Sequence, residues 1–318
     1  MGEVMPTIDE NRSEWGEKYG WSEWGEEWSQ PWGGAESQWF GTVFPRIHAF
    51  VPAPTILEIA PGFGRWTKYL QAHCRKLIGV DLTERCVEEC RRRFQSLSHV
   101  EFHVNDGKSL EMVPEKSVDF AFSCDSLVHV ETDVVAEYLR QLAGKLTPNG
   151  VGFIHHSNLG AYGDQHTGAL PTWVENRGWR ARTMTAAAFR DECRNAGLLC
   201  VGQEIANWWG GILSDCFSVF TLPGSRWARP NRVIVNHRLT QEAATLSRLA
   251  QLYTAQSFEG GGDKASKGVV MHVLDWANQV SRREDLIGRA MISAKKFPFV
   301  RQWFLRRKHR LLQRADQE

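Results

Sequence analysis

Residues 55–64 read Thr-Ile-Leu-Glu-Ile-Ala-Pro-Gly-Phe-Gly, and Asp81 follows in Leu-Ile-Gly-Val-Asp-Leu. The buried-type run 55–60 predicts a strand covered on both faces, as in a parallel sheet flanked by helices. Glycines 62 and 64 let the backbone approach a ligand where a Cβ would clash. A helix starting near Arg65 adds free N–H donors and the positive end of its dipole. The second strand ends in Asp81, 19 residues beyond Gly62, an acid able to accept both hydroxyls of a ribose. A chain so built is constrained to a nucleoside-binding crevice at the top of an α/β sheet.

Strand and helix patterns alternate for about 170 residues from there. Strands are expected at 55–60, 76–82, 100–104, 118–124 and 151–156, and helices at 65–74, 84–94, 132–146 and 185–196. Asn105-Asp106-Gly107 reads as a turn. Thr-Pro-Asn-Gly is expected to stop the helix before it, with Pro148 unable to continue and Gly150 free to turn left-handed. The long polar connection 157–184 suits a loop over a site. Segments 198–206 and 213–222, joined through Trp208-Trp209-Gly210-Gly211, are expected to pair antiparallel. Three regions result: a Trp-rich cap at 1–50, the sheet domain at 51–223, and a helical, basic extension at 224–318 with helices at 240–256, 269–282 and 299–314.

Composition narrows the class. The 318 residues are 42% hydrophobic and 24% charged, ordinary for a globular protein. No run of eighteen apolar residues occurs, so no membrane span is expected, and the acidic N-terminus does not read as a secretory signal. Seven cysteines without a CxxC pair predict buried free thiols in a reducing, cytoplasmic compartment. The net charge of +1 conceals nine Asp/Glu in residues 1–40 and nine Lys/Arg in 289–318. Those ends suit pairing within a chain or across a homodimer, or simple solvation. The basic stretch, interleaved with Phe297, Phe299, Trp303 and Phe304, also suits peripheral contact with an anionic membrane.

Taken together, these motifs resemble the class I S-adenosylmethionine (SAM)-dependent methyltransferases over about residues 50–222. That resemblance implies a Rossmann-like α/β fold, a mostly parallel sheet of about seven strands with a C-terminal antiparallel hairpin and helices on both faces. Glu58, Gly62 and Gly64 match the family's acid-and-glycine turn, with Ala60 in place of its first glycine. Thr67 stands where a dinucleotide fingerprint needs a third glycine, which disfavours a nicotinamide oxidoreductase. The resemblance places Glu58 near the methionine amino group, acting through water or backbone, Asp81 on the ribose, Asp106 and Gly107 at the adenine, and Ser123 to Ser126 at the methionine end. It implies SAM as cofactor and S-adenosylhomocysteine (SAH) as product.

The acceptor is read from what surrounds such a crevice. A hydroxyl acceptor needs a base of near-neutral pKa, and histidine supplies one. His129 follows the fourth strand, while His155 and His156 end the fifth, and Asp125 can orient a histidine or bind a hydroxyl. Neighbours on a strand face opposite ways, so His155 and His156 serve one substrate only if the strand has already ended. Asp125, His129, His156, Asp164 and His166 include ligand types for a divalent metal, but no tight spacing favours one. No amino-methylating DNA motif, Pro-Cys nucleophile or paired-Glu loop follows the fourth strand, and no nucleic-acid partner is expected. Tryptophans 15, 21, 24, 28, 32 and 39, with 173, 179, 208 and 209, either pack the cap onto the sheet or stack on sugar faces.

These features predict an O-methyltransferase acting on a hydroxyl of a sugar or glycan precursor with histidine base assistance. Methylation of an aromatic or amine metabolite, or a non-catalytic SAM- or glycan-binding subunit, are the alternatives.

Overall fold

The computed structural model describes residues 6–254 except 165, 166, 168, 175, 177 and 209. The chain opens with Thr7 capping helix α1 (Ile8–Ser13). Thr7 Oγ1 accepts from Glu10 N at 3.2 Å, and the Glu10 carboxylate accepts from Thr7 N at 2.8 Å. Irregular turns lead to helices α2 (Ala35–Gln38) and α3 (Phe44–Ile47). Strand β1 (Ala53–Ile59) then starts the sheet domain.

Helix α4 is short (Thr67–Leu70) and is continued by a single 3₁₀ turn, Gln71–His73, where sequence predicts one helix to residue 74. Strand β2 (Cys74–Asp81) follows, then α5 (Glu84–Arg93), whose N-cap Thr83 accepts from Cys86 N at 3.2 Å. Strands β3 (Val100–Val104) and β4 (Val118–Ser123) precede α6 (Thr132–Lys145). Strand β5 (Leu146–Ser157) begins directly after it. The expected left-handed turn at Gly150 does not form. Residues 146–150 run extended, and a Cβ at Gly150 would lie 2.7 Å from the Val118 carbonyl oxygen, so close strand approach is what selects glycine there.

Helix α7 (Ala186–Asn195) and strands β6 (Leu199–Ala206) and β7 (Asp215–Thr221) complete the expected alternation. An eighth strand, β8 (Arg232–Asn236), and helix α8 (Leu239–Thr254) follow. The sheet order is β3-β2-β1-β4-β5-β7-β6-β8. Strands β1 to β5 run parallel, β7 is antiparallel to both neighbours, and β8 is parallel to β6. The stretch after residue 223, read as helical, therefore opens with a strand. Its Arg-Val-Ile-Val-Asn run is β-branched but too short and too exposed to show an alternation. The helices expected at 269–282 and 299–314 and the basic stretch 289–318 lie outside the described residues.

Both sheet faces are buried. Leu57, Ile78, Ala121 and Ile154 pack against α6 and α7. On the other face Ile56, Leu77, Phe120, Phe122 and Phe153 pack against Trp32, Trp39, Val43 and Ile47 of the N-terminal segment and Leu239 of α8. Trp32 and Trp39 are therefore core, each only 1% exposed. Full burial of such an apolar side chain stabilises the fold by about 1.5–3 kcal/mol. Arg46 fastens this layer: Nε and Nη2 each donate to Glu204 of β6 at 2.7 Å, and Nη1 donates to Glu242 of α8 at 3.0 Å. All seven cysteines are free. Among the described residues no helix is long and apolar enough to cross a membrane.

Candidate active site

The sheet order reverses between β1 and β4, and a cavity opens at the carboxyl ends of β1, β2 and β4. Ala60 to Phe63 and Arg65 line it after β1, Asp81 to Thr83 after β2, and Cys124 to Leu127 after β4. Gly64 does not line it and instead packs where a Cβ would meet Phe94 at 2.5 Å.

Asp81 stands at one end. Its Oδ2 accepts from Gly62 N at 3.0 Å, and its Oδ1 accepts from Thr83 N at 3.0 Å and Thr83 Oγ1 at 3.3 Å. Burial pushes its pKa up against these hydrogen bonds. Each carboxylate oxygen has about two acceptor sites, so Oδ2 retains capacity toward the cavity. Leu82, Leu127 and Val130 add apolar lining to the same cavity. A carboxylate next to an apolar slot fits a nucleoside, with its ribose hydroxyls on Asp81 and its base in the slot.

Gly62 has φ 57°, and a Cβ there would lie 2.7 Å from the Trp21 indole. Trp21 stacks on Phe63 with centroids 4.6 Å apart. The N-terminal segment thus closes directly over the glycine turn, and Trp15, Trp21 and Trp28 line the cavity. No helical or strand period marks these three in sequence; only their density does. Trp208 is core against Trp32, Trp173 is exposed, and Trp209 lies outside the described residues.

Opposite Asp81 is a rim of polar groups. Asp125 has φ 61°, and its Oδ2 accepts from Arg65 Nη2 at 2.9 Å. Half-buried His129 lines the cavity 5.0 Å from the Trp15 ring. Its Nδ1 lies 3.0 Å from the Trp179 carbonyl oxygen, which can only accept, so Nδ1 carries the proton and Nε2 is bare. Burial, with the Arg180 guanidinium adding to it, lowers the His129 pKa to about 4. The ring is therefore neutral near pH 7.

Several expected site residues stand elsewhere. Glu58 is buried beneath the turn and does not line the cavity; its Oε2 accepts from Thr67 Oγ1 at 2.5 Å, and its Oε1 has no hydrogen-bond partner. Burial pushes its pKa up to about 7. Asp106 is exposed and spends Oδ1 on the N–H groups of Lys108 and Ser109, at 3.0 and 2.7 Å, because an Asp at a tight turn bonds its own backbone. Gly107 does line the cavity. Ser123 is fully buried inside β4, one residue short of the rim.

Strand β5 continues to Ser157, so His155 and His156 face opposite ways. His156 stacks on Phe189 at 4.4 Å and bonds Ser218 Oγ at 2.8 Å; it is a core residue, and burial lowers its pKa to about 3. His155 is equally buried, but its Nδ1 accepts from Asp125 N at 3.1 Å, which ties it to the rim from beneath.

Four of the five candidate metal ligands, Asp125, His129, His156 and Asp164, lie among the described residues. Asp125 is paired with Arg65, His156 faces the core, Asp164 accepts from Thr167 in a turn, and His166 lies outside the described residues. Among the described residues no group of three or more His, Cys, Asp or Glu stands together to hold an ion. Arg65 and Arg180 were not singled out as site residues by sequence. Arg65 follows the glycine turn directly, and that adjacency is the one signal that marks it.

Residues 56–150 match a methyltransferase domain family. Phosphoethanolamine N-methyltransferase 3 of Arabidopsis thaliana is 25% identical over 173 residues, 51% of this chain. The match spans only 35% of the plant protein's length. Among solved structures, the PH0226 protein of Pyrococcus horikoshii OT3 is similar with a TM-score of 0.46 and 18% identity, covering 59% of this chain and 90% of that one. The N-methyltransferase NodS of Bradyrhizobium japonicum WM9, solved with SAH, is similar with a TM-score of 0.43 and 17% identity, covering 58% and 86%.

Proposed function

With residues 56–150 a methyltransferase domain, we propose that this protein is a SAM-dependent methyltransferase acting on a hydroxyl group, with His129 as the proton acceptor. The observation that carries the reading is one cavity lined by both Asp81 and His129, whose Nδ1 is spent on the Trp179 carbonyl. Asp81 would hold the ribose hydroxyls, the Gly62–Gly64 turn would face the methionine portion, and Leu82, Leu127 and Val130 would flank the adenine. When bound, SAM supplies an activated methyl group on a sulfonium.

The remaining work falls to the chain's own groups. Trp15, Trp21 and Trp28 exclude water from the cavity and offer flat faces to an acceptor. Arg65 holds Asp125 at the rim, where the carboxylate can orient a hydroxyl. His129 Nε2 takes the hydroxyl proton as the oxygen becomes nucleophilic, and Nδ1 stays fixed on the Trp179 carbonyl. Indole faces beside a carboxylate suit a sugar or glycan precursor, whose C–H surfaces stack while its hydroxyls hydrogen-bond. The seven free thiols suit a reducing compartment such as the cytoplasm.

A pKa near 4 makes His129 a weak base, and indoles also attract cations. Both favour a second reading, methylation of an amine, in line with the name of the plant relative. Incubation with methyl-labelled SAM and panels of sugars, phenols and amines separates the two. Label in a sugar or phenol that is lost in His129→Gln supports the hydroxyl reading. Label in an amine that persists in that variant contradicts it.

A further inference from the structure

Asp215 begins β7 and is fully buried, outside the cavity, yet it touches two chains of contact that reach the rim. The first runs through His155. The Asp125 backbone N–H can only donate, so His155 Nδ1 is bare and Nε2 carries the proton, directed at Asp215 Oδ1 at 3.0 Å. The second runs through Arg180, whose Nε donates to both Asp215 oxygens at 2.8 and 3.1 Å. Arg180 Nη1 donates to the Gly178 carbonyl at 3.2 Å, and Asn176 brackets Arg180 by accepting from its N–H at 2.8 Å and donating to its carbonyl at 2.9 Å. Between these anchors Trp179 has φ 51°, a conformation costly for a bulky side chain. That strained backbone aims the Trp179 carbonyl at His129 Nδ1.

We propose that Asp215 is a positioning residue for the methyl-transfer site. Through Arg180 it fixes the tautomer of His129, and through His155 it fixes Asp125. The two histidines are held in opposite tautomers by one carboxylate: His129 is bare at Nε2, facing the acceptor, and His155 is bare at Nδ1, facing the backbone. Ser214 Oγ also donates to Asp215 Oδ2. Burial alone would raise the Asp215 pKa, but the Arg180 guanidinium and the His155 hydrogen bond outweigh it, so the anchor stays ionised. This role rests on the reading of His129 as the group that takes the acceptor's proton.

The test uses the full chain with ¹⁵N-labelled histidine rings near pH 7.5, the signals assigned with His129→Gln and His155→Gln. The wild type is expected to show one Nδ1–H tautomer for His129 and one Nε2–H tautomer for His155. In Asp215→Asn both rings are expected to move toward averaged tautomers, with SAH affinity held within about twofold because the hydrogen bonds of Asp81 go to Gly62 and Thr83 and those of Asp215 to His155, Arg180 and Ser214. Arg180→Lys removes the guanidinium fork while keeping Asp215 and is expected to disturb His129, so it decides the matter should Asp215→Asn fail to fold. A His129 spectrum unmoved in the folded variants, with SAH still bound, overturns the positioning role. A wild-type chain that does not bind SAH overturns the methyltransferase reading instead.

Discussion

The backbone N–H of Gly62 donates to Oδ2 of Asp81 at 3.0 Å, which ties the turn after β1 to the end of β2. The two motifs that stand apart in sequence are thus one device. The turn positions the carboxylate, and the carboxylate fixes the turn. Thr83 takes the other oxygen and caps α5 as well, so the second helix is aligned by the same acid.

Ala60 has φ 57° in this turn. A left-handed conformation costs an L-residue about 1–2 kcal/mol, while glycine adds about 0.5–1 kcal/mol of unfolded-state entropy. Ala60→Gly is therefore expected to stabilise the fold by up to about 1 kcal/mol, and Gly62→Ala to destabilise it by more than that because its Cβ also meets Trp21. Chemical denaturation of both variants checks this. A less stable Ala60→Gly would contradict the strain assigned to the turn.

Glu58 gives the stability a pH dependence of known sign. Its folded pKa, about 7, is raised above the ordinary 4.5. The folded state therefore holds the proton more tightly, and this contribution is full below pH 4.5 and lost as pH rises through about 7. The lowered values of His129 and His156 act oppositely, their contributions being lost as pH falls below 6.5 through about 4 and 3. Glu58→Gln is expected to abolish the first effect, gaining up to about 3 kcal/mol relative to wild type between pH 5 and pH 8. Urea midpoints at the two pH values measure it, and an equal slope in both proteins would contradict the burial argument.

His129 and His156 are expected to separate function from stability. His129→Gln should lower methyl transfer to a hydroxyl acceptor by about 10²–10⁴-fold with little change in melting. His156→Ala removes a ring stacked on Phe189 and one of the hydrogen bonds of Ser218, and is expected to cost about 3 kcal/mol. Thermal melts and initial rates on the two variants show whether the roles divide this way. A His156→Ala that melts like wild type would contradict its assignment to the core.

Much of the scaffold was legible because its signals are local. The buried-type runs of β1, β2 and β4, and the glycines at 62 and 64, need no partner to be recognised. What escaped depends on contacts between distant residues. Glu58 and Ser123 carry polar side chains at the strand ends, and only packing reveals that they turn inward. Asp106 spends one oxygen on the backbone because an Asp beside a turn bonds the N–H groups that follow it. The His155-His156 pair depended on whether β5 had ended; its pairing with β7 carries it on to Ser157. Arg180 and Asp215 lie 35 residues apart and meet only through the fold.

The central claim is a SAM site anchored on Asp81, and calorimetric titration of the full chain with SAH, repeated with Asp81→Asn, tests it most directly. Hydrogen bonds to a charged acceptor contribute about 1.5–3 kcal/mol, so the variant is expected to bind SAH about 10- to 100-fold more weakly. The wild type is expected to bind SAH and not NAD(H). NAD(H) binding without SAH binding, or SAH binding untouched by Asp81→Asn, would contradict the account.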